Sequence, residues 1–174
     1  MLLRLLTLLS LLFLSQPAIS QQLQKTKADD VPDTCPVTRS PALSFIPPWP
    51  YPLKAGPRQF WFGTERLWTM LPEDGAWRGL PHYTPDDPTF RQKLFYWRKG
   101  YVVRTEPLPK MTVTGRRRDA PAPPMLVDNT TTNGWVERNQ PFMLTGINFP
   151  ALGCWEITGR YKDEELTFVV WVAE

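Results

Sequence analysis

The sequence predicts an all-β protein, built as a two-layer β-sandwich of about seven strands. The clearest signal lies at 153–172, where apolar and polar residues alternate on both sides of a short charged turn. Successive side chains of a strand point to opposite faces, so each strand here offers one face to a shared core. The 20 prolines exclude long helices, while 13% aromatic residues suit short strands. The apolar positions of this hairpin are Trp155, Ile157, Tyr161, Leu166, Phe168, Val170 and Val172.

Shorter runs between turn residues predict the remaining strands. Met111 and Val113 alternate with threonines, which predicts that these two side chains face the core. The other predicted strands are 59–63, 67–71, 93–98, 110–116, 125–127 and a short one around 142–144. The predicted loops and turns are 72–75, 77–89 and 129–134.

Residues 1–20 have the parts of a secretory signal peptide. Arg4 supplies the positive charge, residues 5–14 are mainly leucine, and Ala18 and Ser20 provide the small residues of a cleavage site. The alternative is a membrane anchor, but spanning needs about 20 apolar residues and this run is shorter. We therefore expect a secreted protein, periplasmic or extracellular, with no membrane span after cleavage.

Removing the signal leaves about 150 residues, a suitable size for one domain with its own core. Residues 21–34 are polar with mixed charge, which predicts a flexible leader. The single domain is then expected at 35–174. Within it, residues 41–57 hold many prolines around Trp49 and Tyr51, which favours an extended segment packed on the sandwich.

The charges and cysteines exclude several classes of function. The 20 Lys and Arg against 17 Asp and Glu are scattered, whereas nucleic-acid binding needs a concentrated basic face. Cys35 and Cys154 form an even pair, which in an oxidising compartment predicts a disulfide; the alternative is two unpaired thiols. With one histidine and no CxxC or HxxxH spacing, neither a metal site nor a cofactor is expected.

The run GCWEI at 153–157 resembles the start of strand F in immunoglobulin-type domains. Gly153 stands at the small position, Trp155 at the aromatic corner, and Ile157 where those domains have an inward cysteine. The resemblance implies an Ig-like β-sandwich without the usual inter-sheet disulfide. It also makes Trp97 a candidate for the core tryptophan of the opposite sheet.

Longer blocks resemble a set of uncharacterised small secreted bacterial proteins. The most specific are GRRRDAPAPP at 115–124 and FPALGCWEITGR at 149–160, with the pattern FPxxGCWExTGR. Shorter matches are LPEDG at 71–75 and FYWR at 95–98. The resemblance implies a bacterial secreted domain and carries no activity over.

Charged residues give the first candidate site. Arg116, Arg117 and Arg118 could hold a phosphate, sulfate or carboxylate, but strand alternation sends Arg117 to the opposite face. The alternative is a strand end where one arginine pairs with Asp119. Glu156 on the outer face is expected to form an ion pair with an arginine, such as Arg160 or Arg116.

Exposed aromatic residues give the second candidate site. Trp171 is out of phase with its inward neighbours, and Trp68 is among several tryptophans that cannot all face one core. Such rings could stack on sugars or anchor a protein. The alternative is that the proline-rich segment covers them and forms a second small core.

These observations predict a non-enzymatic interaction or structural module of the cell envelope, whose partner is an envelope protein or a glycan. The first alternative is an aromatic-platform carbohydrate-binding module. The less favoured alternative is an envelope hydrolase using Glu156 or His82. Adjacent carboxylates in turns do not face each other across a substrate, and no Gly-x-Ser-x-Gly run occurs.

Overall fold

The computed structural model describes residues 31–82, 84–137 and 139–174, and this part of the chain forms ten β-strands and no helix. The prediction of an all-β fold is therefore confirmed. The predicted signal peptide and most of the predicted leader lie outside the described residues. The strands are β1 (Gln59–Thr64), β2 (Leu67–Pro72), β3 (Ala76–Arg78), β4 (Phe90–Trp97), β5 (Met111–Arg117), β6 (Leu126–Val127), β7 (Thr132–Trp135), β8 (Pro141–Phe149), β9 (Gly153–Tyr161) and β10 (Glu164–Ala173).

The strands form two sheets. The six-stranded sheet has the order β1-β2-β4-β8-β6, with β7 also paired to β8, and the four-stranded sheet has the order β3-β10-β9-β5. All pairs are antiparallel except β3 with β10. Strand β8 pairs with β4 along one edge. Strands β6 and β7 pair one after the other with the opposite edge of β8, so they are two parts of one interrupted strand.

Two of the ten strands, β3 and β7, were not predicted, because they fall in a predicted loop and a predicted turn. β3 begins at Ala76 and continues into the predicted loop 77–89, and β7 overlaps the predicted turn 129–134. β3 exists through its parallel pairing with the end of β10, where the Trp171 amide also donates to the Gly75 carbonyl at 2.9 Å. Because β3 depends on pairing with a distant strand, its own residues show no alternation of apolar and polar side chains that would have predicted it.

The main core lies between the two sheets. Met111 and Val113 on β5 face it while Thr112 and Thr114 face solvent, as the alternation predicts. Phe149 on β8 joins the layers, since its ring centroid lies 5.3 Å from that of Trp155 on β9. The fully buried side chains of this core include Leu71, Tyr96, Met143, Ile147, Phe149, Trp155, Ile157, Val170 and Val172.

A second apolar layer covers the outer face of the six-stranded sheet. We call it the outer aromatic cluster; it is built on Trp61, Trp68 and Trp97 and includes Tyr51. Tyr51 belongs to the strap, our name for residues 41–57, which packs over these tryptophans as the sequence predicts. On β4, Tyr96 and not Trp97 faces the main core, so the expectation that Trp97 fills the space between the sheets is wrong.

The predicted disulfide between Cys35 and Cys154 is present on the outer face of the four-stranded sheet. Cys154 is fully buried there beside Val169, while Trp155 and Ile157 face the main core. Val31 also packs against this disulfide, so the packed domain begins before Cys35. The N-terminal segment is thereby tied across the outside of the sandwich.

Candidate functional site

The two longest sequence blocks singled out above, 115–124 and 149–160, are neighbours in the fold. Block 115–124 starts on β5 and block 149–160 includes most of β9, and these strands pair so that Arg116 lies opposite Glu156. Arg116 Nε donates to Glu156 Oε1 at 2.6 Å, and Arg118 donates to Glu156 Oε2 at 2.7 Å. The hydrogen bond from Arg116 lowers the pKa of Glu156 below its usual value, although burial opposes it.

The three arginines do not form one cradle. Arg117 pairs with Asp119 at 2.8 Å, while Arg116 and Arg118 both bind Glu156. Of the two partners expected for Glu156, Arg116 is confirmed, and Arg160 instead binds Glu165 at 2.6 Å. Because carboxylates occupy these guanidinium groups, the arginine surface is an ion-pair network on the sheet.

Asp119 links this network to the disulfide. Its Oδ1 accepts from the amide of Cys154 at 3.1 Å as well as from Arg117. Partial burial raises the pKa of Asp119, but Arg117 and the Cys154 amide outweigh that effect and lower it below its usual value. Gly153 has a φ of 136°, which favours glycine, and its lack of a side chain lets the backbone pass close to Arg117. A Cβ at this position would lie 2.6 Å from Arg117 Nε.

Trp68 and Trp171, the two tryptophans considered for an exposed binding surface, lie in different environments. Trp68 is 0% exposed because Phe45 and Tyr51 of the strap cover it, so its predicted place on an exposed surface is wrong. Trp171 is half-buried and packs against the disulfide cluster. Neither residue belongs to an open aromatic row.

An apolar cleft lies between the strap and the six-stranded sheet. Its volume is about 310 Å³. The aromatic walls are Tyr51, Trp61 and Trp97, all of the outer aromatic cluster. Burial raises the pKa of Tyr51 to about 12, so its phenol carries no charge at neutral pH. The other lining residues are Pro52, Lys54, Ala55, Gly56, Met70, Val136 and Gln140.

Three hydrogen bonds hold the strap in place. Trp61 Nε1 donates to the Pro52 carbonyl at 3.1 Å. From the opposite side, Gln140 donates to the Pro50 carbonyl at 2.8 Å, and the Tyr51 hydroxyl donates to Pro141 at 3.2 Å. The cleft walls are therefore fixed by polar contacts as well as by packing.

Exposed apolar side chains occur on the two segments that line this cleft, at a lining residue or within two positions of one. Trp49 is 88% exposed and precedes Pro50, and Leu53 is 74% exposed between two lining residues. Val136, itself a lining residue, is 60% exposed. We call these three residues the apolar rim. The sequence placed Trp49 and Tyr51 in the strap. It did not predict the cleft, because part of the cleft wall comes from the distant hairpin between β7 and β8 and no local sequence pattern indicates that contact.

A second, polar cleft of about 420 Å³ lies where β2 gives way to β3. Half-buried Trp77 lines it together with the amide side chains of Gln59 and Gln92. The carboxylates of Glu73 and Asp74 also line it, and Asp74 pairs with Arg78 at 2.6 Å. An aromatic ring among amides and carboxylates is an arrangement that can bind hydroxyl groups.

The residues considered for hydrolysis have other contacts. His82 Nδ1 lies 2.8 Å from the Thr89 carbonyl oxygen, and its ring packs 5.0 Å from that of Phe90. Both carboxylate oxygens of Glu156 bind arginines. In the described ranges, no three His, Cys, Asp or Glu residues are grouped as metal ligands.

The described residues contain no helix with the length and apolar character needed to cross a membrane. No family model matches the chain. Searches of curated proteins and of solved structures also found no match.

Proposed function

We propose that this chain is a secreted, non-enzymatic interaction module of the cell envelope that binds its partner at the apolar cleft and its rim. The observation that carries the proposal is the exposure of Trp49, Leu53 and Val136 on the two segments that also line a cleft walled by aromatic rings. Exposed apolar residues grouped beside a groove are typical of binding surfaces. Export is supported by the signal-like residues 1–20 and by the disulfide, which suits an oxidising compartment.

We further infer that the sandwich is Ig-like. Support comes from the strand order: β2, β4, β8 and the interrupted β6–β7 strand correspond to A, B, E and D of a constant-type domain. In the other sheet, β5, β9 and β10 correspond to C, F and G. Trp155 supports the same assignment, because its Nε1 donates to the Ala151 carbonyl at 3.0 Å, as an aromatic corner would.

Photo-crosslinking in the producing cell tests the binding surface. A benzophenone amino acid placed at Trp49 or Leu53 should give a discrete product with an envelope component. The matched control is Leu126 on β6, which is 58% exposed and pairs with the opposite end of β8. Products of equal yield at Leu126 and Trp49, or none at Trp49, would contradict the proposal.

Carbohydrate binding is a second candidate, favoured by the polar cleft. Trp77 offers a ring face, and Gln59 and Gln92 offer paired donors and acceptors for hydroxyl groups. Glycan arrays with the wild type and a Gln59→Ala/Gln92→Ala variant test this candidate. Binding that the variant loses supports it, whereas a flat response to every glycan removes it.

A further inference from the structure

We propose that the apolar cleft binds the alkyl chain of an anionic lipid, with the anionic head group at Lys54. This inference rests on the proposed function and specifies the chemistry of the partner. The cleft volume of about 310 Å³ lies at the lower end of ligand sites, which suits part of one chain rather than a whole two-chain lipid.

The charge of the cleft selects an anion. Lys54 is the one basic residue among the described residues that line it, and none of those residues is an Asp or Glu. Lys54 makes no hydrogen bond or ion pair with the described part of the chain, so its ammonium group is available to a ligand. The strap, residues 41–57, contains no Asp or Glu that would compete for it.

The polar groups of the cleft disfavour a sugar. Among the described lining residues, Gln140 is the one with an amide side chain, and its nitrogen already donates to the Pro50 carbonyl. Trp61 Nε1 likewise donates to Pro52. A sugar would leave most of its hydroxyl groups unpaired against aromatic and aliphatic walls, which is costly.

A cationic ligand is disfavoured for a different reason. Tyr51, Trp61 and Trp97 could surround a quaternary ammonium group, as aromatic cages do. However, Lys54 would repel such a group, and no carboxylate of a described residue lines the cleft to offset the repulsion.

Decanoate, decyltrimethylammonium and decyl maltoside, each below its micellar concentration, are suitable probes for calorimetry and tryptophan fluorescence. Decanoate should bind saturably at one site and at least about tenfold more tightly than the cationic probe. Lys54→Glu should weaken decanoate binding by roughly five- to tenfold and remove the preference for the anion. Equal affinity of the wild type for all three probes would overturn the proposal.

Two matched variants locate the site. Val136→Trp should fill the cleft and abolish decanoate binding, whereas Leu126→Trp, also at an exposed position, should leave it unchanged. Lys54 is exposed, so Lys54→Glu still tests the proposal if Val136→Trp fails to fold. Unchanged binding by a folded Val136→Trp variant would overturn it. A Trp49 crosslink to an envelope protein without saturable decanoate binding would overturn this inference and leave the proposed function standing.

Discussion

Tyr161 at the end of β9 donates its phenol hydrogen to Glu106, with 2.5 Å between the two oxygens. Glu106 lies in the 98–110 connection, whose Tyr101 hydroxyl donates to the Glu106 carbonyl at 3.0 Å. Lys162 approaches the same carboxylate at 3.3 Å. One carboxylate therefore fastens this long connection to the sandwich.

The first prediction is that Glu106→Gln destabilises the domain by about 1–2 kcal/mol at neutral pH. Partial burial raises the pKa of Glu106, but Tyr161 and Lys162 outweigh it and lower the pKa below its usual value. A lowered folded-state pKa means that the stabilisation is present above the unfolded pKa of about 4.3 and is lost as pH falls through the folded value. Urea unfolding of wild type and Glu106→Gln from pH 7 to pH 3 measures this loss of stabilisation.

The gap in unfolding free energy between wild type and Glu106→Gln should therefore close as the solution is acidified. Glu137→Gln changes an exposed carboxylate in the turn before β8 and serves as the control. A gap that stays constant down to pH 3 would show that the charge of Glu106 plays no part.

The second prediction concerns the disulfide, which joins residues 119 positions apart. Closing so long a loop restricts the unfolded chain, so a Cys35→Ser/Cys154→Ser variant should lose about 4–5 kcal/mol of unfolding free energy. Denaturant unfolding measures the loss, and reduced wild type should match the variant. Non-reducing peptide mapping should give one linked fragment; two freely alkylated cysteines in the exported protein would refute the bond.

The third prediction is that Gly159→Ala destabilises the domain by about 1–3 kcal/mol. A Cβ at this position would lie 2.8 Å from ring carbons of Tyr96, which is fully buried on the facing sheet. A rigid ring in a packed core cannot move aside without cost. Thermal unfolding measures the effect, and Thr158→Ala on the outer face of β9 is the control. Equal melting temperatures for the two variants would contradict this account.

The C-terminal hairpin was predictable because β9 and β10 each have one core face and one more polar face. Alternation in the sequence then specifies which residues are inside, and it also places Glu156 on the face that Arg116 reaches. The same rule failed at Trp68, because both faces of β2 are buried, one by the main core and one by the strap. A period of two cannot tell an outward residue in solvent from one under another segment.

The cleft could not be predicted for a related reason. Its walls come from the strap, from β1, β2 and β4, and from the hairpin between β7 and β8. Tyr51 donates to Pro141 and Gln140 donates to Pro50, through hydrogen bonds that each span 90 residues. Sequence reasoning identified the strap and its packing, but no local pattern encodes the distance between these segments.

The last prediction tests whether the strap depends on its own packing. The Tyr51 ring lies 5.1 Å from that of Trp68 in an edge-to-face arrangement, and Tyr51 also anchors the strap to Pro141. Tyr51→Ala removes both contacts and should destabilise the domain by about 2–4 kcal/mol, because a large buried ring is deleted. Acrylamide quenching of tryptophan fluorescence should rise as Trp61, Trp68 and Trp97 become accessible. Trp49→Ser, at an 88% exposed position of the same strap, should leave unfolding unchanged and lower the quenching by removing one accessible indole. If Tyr51→Ala leaves quenching at the wild-type level, the strap is held by contacts other than those of Tyr51.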